Sequence, residues 1–128
     1  MAGDPFTAET QAAVINGVNV EFTDAAQKRK LTLILNKLKK IPTGQKALAD
    51  LAEHKTVVSL DNISAWGAFM PKNNRIVLWG SASNTKLFSV LVHEARHMYQ
   101  HQNGAGQYKR NDLDIQSQIM LDRAKEAD

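Results

Sequence analysis

Cysteine is absent from this chain of 128 residues. No disulfide can hold the fold, and any metal site must draw on His, Asp or Glu. The same absence leaves the redox compartment open. Long apolar runs are also missing. No segment approaches the roughly 18 consecutive apolar residues that a membrane span needs, so no span is expected. The first residues lack a basic stretch followed by an apolar core, so no Sec signal peptide is expected either. Action in the cytoplasm and export by a specialised secretion machine both remain open. Internal repeats and low-complexity tracts are lacking too.

The residues that are present describe an ordinary globular chain, 43% hydrophobic and 23% charged. The length suggests one domain over residues 1–128, with 1–22 as a peripheral N-terminal segment. A chain of this size buries roughly two-thirds of the surface its unfolded form exposes. The formal charge is +3. Lys28, Arg29, Lys30, Lys37, Lys39 and Lys40 fall in one stretch. The simplest account is the solvated face of an amphipathic helix. The sharper one is a patch for nucleic acid or acidic lipid. No aromatics interleave these residues and no nucleic-acid motif accompanies them, so nucleic acid is not expected as a partner.

Along the chain, Thr7 to Ile15 reads as a short helix broken at Asn16-Gly17. Val18, Val20 and Phe22 alternate with polar residues, which predicts a strand. Thr23 or Asp24 caps a helix carrying Leu31, Ile34, Leu35 and Leu38, which must stop near Pro42. Thr43 and Gly44 open a second helix. Thr56 to Leu60 is a β-branched run and reads as a strand. Gly67 to Met70 and Arg75 to Trp79 form the arms of a hairpin around Pro71-Lys72-Asn73-Asn74. Ser83 or Asn84 caps a helix with apolar positions Leu87, Val90, Leu91, Ala95 and Met98, ending at Asn103-Gly104. Asn111 or Asp112 caps a last helix. The pattern predicts an α+β fold, with a small antiparallel sheet or hairpin packed on helices.

One motif carries chemistry. Residues 93 to 97 read His-Glu-Ala-Arg-His, which matches H-E-x-x-H. Histidines at i and i+4 lie on one helix face a turn apart, so both imidazoles can reach one ion. Glu94 then lies beside that ion, placed to take a proton from a metal-activated water. Zinc suits nitrogen and oxygen donors in a tetrahedron. The five-letter pattern alone is modest evidence, because it arises by chance. Here it sits inside an amphipathic helix that follows a hairpin. That hairpin can supply the edge strand for an extended peptide, and Ile76, Val77, Leu78 and Trp79 are the residues expected to do so. The plain alternative is that His93 and His97 are ordinary helix residues and Glu94 pairs with a nearby base.

Two histidines need a third protein ligand. Asp112 and Asp114 sit at a helix start, where acids serve as caps. Ile115, Ile119, Asp122 and Glu126 form one stripe that begins apolar and ends acidic. Glu126 is the preferred third ligand, and Asp128 could orient a ligand histidine. The alternative for Glu126 is a solvated acid on a fraying turn. Tyr108 could stabilise an oxyanion, or simply pack. His101 continues the His93 and His97 face one turn on. Arg96 faces away and could pair with Asp112 or Asp122. His54 sits at a helix end as a capping cation.

From Gly44 to Asp128 the sequence resembles a family of bacterial metallopeptidase domains, some found in secreted effector-like proteins. The matching features are the Gly44 to Leu51 helix and the Ala65-Trp66-Gly67 to Trp79 hairpin. With them go the run Leu91-Val92-His93-Glu94-Ala95-Arg96-His97-Met98-Tyr99-Gln100 and the closing Arg123-Ala124-Lys125-Glu126-Ala127-Asp128. The resemblance implies a zincin-like fold, His93 and His97 as ligands of one Zn2+ per chain, Glu94 as base, and a peptide or protein substrate. In such domains a small residue follows the acidic pair, so a continuation beyond Asp128 is expected. A metal-binding effector or interaction module that has lost activity is the rival reading. A structural domain with a coincidental motif is the other. Substrate and oligomeric state are left open.

Overall fold

The computed structural model describes residues 9–103. Its first element, β1 (Gln11–Ile15), is a strand and not the short helix expected over Thr7 to Ile15. It pairs antiparallel with β2 (Val18–Phe22), Ile15 opposite Val18. Asn16 and Gly17 form the two-residue connection, with φ of 52° and 83°. Such a turn needs two left-handed residues in succession, which Asn-Gly supplies at low steric cost. The alanines of the segment favour a helix only weakly against this local hairpin signal and the ladder it makes possible.

α1 (Ala25–Leu38) starts where Asp24 accepts a hydrogen bond from the Gln27 backbone N–H at 2.8 Å. The Gln27 side chain in turn accepts from the Thr23 backbone N–H at 2.8 Å, which ties the residue before the cap to the first turn. The helix buries Leu31, Ile34, Leu35 and Leu38. Its outer face carries Lys28, Arg29 and Lys37, all exposed, which is the solvated face the charge run suggested. Lys30 instead turns inward and donates to the Ala82 carbonyl. Pro42 does not merely end α1; it occupies the first turn of α2 (Pro42–Glu53), where its missing N–H costs nothing.

β3 (Val57–Asp61) returns parallel to β2, since the two intervening helices give ample length for a crossover. β4 (Gly67–Met70) and β5 (Arg75–Trp79) form the expected hairpin. β5 pairs parallel with β3, which gives a five-stranded sheet in the order β1-β2-β3-β5-β4. The fold class is therefore α+β as expected, but the sheet is mixed and not small and antiparallel. α3 (Asn84–Gln102) completes the described elements. One sheet face, with Val18, Val20, Val58, Ile76 and Leu78, packs against Leu35, Leu51, Leu87, Leu91 and Met98 of the helices. On the other face, Arg75 bridges Glu21 on β2 and Ser59 on β3. No described helix is long and apolar enough to cross a membrane.

Candidate metal centre

α3 is fixed at its start by Ser83, whose hydroxyl accepts from the Lys86 backbone N–H at 3.1 Å. Leu87, Val90, Leu91, Ala95 and Met98 then anchor one side of the helix in the core. That anchoring sets the rotation of everything else on it. His93 and His97 come side by side, with ring centroids 4.6 Å apart and planes inclined at 48°. Both are half-buried, whereas Glu94 is only 3% exposed. Arg96 is exposed and lies on the flank of the helix turned toward α2. There it lines a groove with Thr43, Lys46, Ala47, Asp50, Val92 and Tyr99.

Burial holds the His93 pKa below its ordinary value, and the neighbouring positive charges of His97 and Arg96 push in the same direction. The neutral imidazole is thereby favoured, and that is the form able to bind a metal. Two adjacent imidazoles with a carboxylate one residue away suit a divalent ion that accepts nitrogen and oxygen donors. Among the described residues, no group of three or more His, Cys, Asp or Glu converges to hold a metal. Tyr108, Glu126 and Asp128 lie outside the described residues, as do Asp112, Asp114 and Asp122.

The expected substrate strand is corrected. All five residues of β5 pair with β3, and Arg75 to Leu78 also pair with β4. Ile76, Val77 and Leu78 thus have ladder partners on both sides. The Trp79 N–H is taken by the Trp66 carbonyl at 2.8 Å. A strand inside a sheet has no free backbone groups to offer a peptide. Among the described residues, β4 is the edge on this side of the sheet.

β4 also runs along the histidine face of α3. At one end Gly67 meets Val90, where a Cβ on the glycine would lie 2.7 Å from the valine Cγ1. At the other end Phe69 packs against His101, with ring centroids 5.8 Å apart. Val90, His93, His97 and His101 form one stripe at helical spacing, and β4 meets that stripe at Val90 and at His101, on either side of the two imidazoles in sequence. Sequence reasoning passed over Gly67 and Phe69. The stripe spacing was the one signal that could have pointed to them. His54 stands at the C-terminal end of α2, where its backbone N–H donates to the Asp50 carbonyl at 3.1 Å, and its ring contacts Tyr99 edge-on.

These features define a class: an α+β domain whose main helix presents metal-suited donors beside a sheet edge. The chain belongs to the family described as "Putative metallopeptidase family (DUF6782)", whose family model matches residues 9–128. Membership implies a metal and a peptide or protein substrate. No curated protein and no solved structure matches the chain.

Proposed function

We propose that this domain hydrolyses peptide bonds with one Zn2+ per chain, in a zincin-like arrangement. The ion would be held by His93 and His97, with Glu94 as general base. The observation that carries the reading is the 4.6 Å approach of the two rings on a buried helix, with Glu94 between them in sequence. When bound, zinc supplies a Lewis acid that polarises a carbonyl and brings the pKa of a water near neutrality. Glu94 takes the proton of the attacking water and passes it to the leaving amine. Its burial keeps that carboxylate in a low-dielectric setting, where proton transfer does not compete with bulk water.

Glu126 is the proposed third ligand, with Asp128 proposed to orient a ligand histidine and Tyr108 to stabilise an oxyanion. β4 takes over from Ile76 to Trp79 as the strand that pairs with an extended substrate, because its outer backbone edge is unpaired among the described residues. The proposed unit is a single domain.

Metal content of the purified chain, together with cleavage of a peptide library, tests this. One zinc per chain is expected, lost in His93→Ala and in His97→Ala. Glu94→Gln is expected to keep the zinc and lose hydrolysis by about 100-fold or more. Loss of the metal from Glu94→Gln would remove the base role, and zinc binding without cleavage of any peptide would leave a binding module.

A further inference from the structure

The Trp66 indole and the Lys86 ammonium lie together at the N-terminal end of α3. The Trp66 side chain is 3% exposed, and its indole N–H is buried with no hydrogen-bond acceptor. The Lys86 ammonium stands 5.1 Å from the centre of the same ring. No described carboxylate forms an ion pair with Lys86. The contact of the ammonium with the ring is favourable in itself, but neither the indole N–H nor the ammonium has an anionic partner among the described residues. A buried N–H without an acceptor has lost water and gained nothing. A lysine in the first turn of a helix opposes the macrodipole, and α3 has no acid in that turn to offset it. One ligand answers both: an anionic oxygen pairs with the half-buried ammonium, meets the positive end of the helix and, as the Lys86 side chain shifts with it, accepts from the covered indole N–H.

The position relative to the histidines gives this pair a role. Lys86, His93 and His97 follow i, i+7, i+11 spacing and so share one stripe of α3. Seven residues of helix cover about 10 Å, which is about three residues of extended peptide. Trp66 leads directly into β4, and the close contact of Gly67 with Val90 holds that end of the strand against the same stripe. The Trp66 ring is braced by Trp79, with centroids 5.2 Å apart.

We propose that Trp66 and Lys86 form a carboxylate-binding subsite of the peptide cleft. It selects substrates that carry an acidic side chain or a chain-terminal carboxylate about three residues from the cleaved bond. The subsite rests on the peptidase reading for its place in catalysis, but its binding can be measured without turnover.

The test follows the indole N–H resonance of Trp66, assigned with Trp66→Phe, in the 128-residue chain carrying Glu94→Gln. Three short peptides are added: one neutral with blocked ends, one identical but for an internal glutamate, and one with a free C-terminal carboxylate. A carboxylate peptide is expected to move the resonance and the neutral one to leave it in place. Whichever carboxylate acts identifies the source. Lys86→Gln is expected to weaken that binding about tenfold or more, the loss of one charge-assisted hydrogen bond, and Lys86→Arg to retain it. Should Trp66→Phe fail to fold, the two Lys86 variants carry the test, since that side chain lies over the ring and outside the core.

No shift with either carboxylate, an equal shift with the neutral peptide, or unchanged affinity in Lys86→Gln would overturn the subsite. A selective shift in a protein that cleaves nothing would leave the subsite standing and remove the peptidase reading. Cleavage whose KM ignores the acidic residue would do the reverse.

Discussion

Asn74 shows how much one side chain can tie together. It stands at φ 49° in the turn between β4 and β5, a left-handed position that asparagine tolerates better than most residues. Its amide donates to the His54 carbonyl at 2.7 Å, and its carbonyl oxygen accepts from Thr56 at 2.9 Å and Gln102 at 3.0 Å. The turn, the end of α2, the start of β3 and the end of α3 are thus joined at one point. Asn74→Gly keeps the backbone geometry and deletes those bonds, leaving the buried Thr56 hydroxyl without its acceptor. A loss of about 2–3 kcal/mol is expected, read as a lowered midpoint in denaturant unfolding. Asn74 was legible in the sequence only as a turn residue. Its partners come from two distant segments, 54–56 and the end of α3, and spacing along the chain carries no record of them.

At the scale of elements, the hairpins mark how far local pattern reaches. The β4–β5 pair was legible in full, because its turn residues and strand residues are contiguous. β1 was misread, although Asn16-Gly17 is a strong hairpin signal, because its strand residues are alanine-rich and weakly alternating. Gly17→Ala forces a side chain into a φ of 83° and is expected to cost about 1 kcal/mol. β4 matters more to the site. Gly67→Ala places a methyl 2.7 Å from Val90 Cγ1 and 3.1 Å from Leu78 Cδ2. The strand must then move off α3, at about 1–3 kcal/mol of stability. A peptide substrate that pairs with β4 should show a raised KM in this variant, with less change in kcat. Equal KM values for variant and wild type, despite the lower melting temperature, would separate β4 from substrate binding.

For the whole molecule, the core fixes α3 and the metal is expected to fix the site. Leu91 is fully buried and packs one turn before Ala95 and two residues before His93. Leu91→Ala is expected to cost about 2–5 kcal/mol, measured by calorimetry. A bound ion stabilises the folded form by mass action, about 2.7 kcal/mol when its free concentration is 100 times Kd. Adding a chelator should therefore lower Tm in the wild-type chain. It should leave Tm unchanged in His97→Ala, where the donor pair is already broken. A chelator effect of the same size in both proteins would place the metal elsewhere.

The sequence by itself determined what depends on neighbours along the chain. It set the helical spacing that brings His93 and His97 side by side, helix starts at Thr23 or Asp24 and at Ser83 or Asn84, the Pro71 to Asn74 turn, and the α+β class. Only the tertiary structure decided which strands lie beside which. A strand's alternation reports which face is buried and says nothing of its hydrogen-bond partners. So β5 went to the interior of the sheet and β4 to the edge, the sheet became mixed, and Trp66 came to rest under Lys86. Those placements are contacts between distant segments, chosen by packing against a common core.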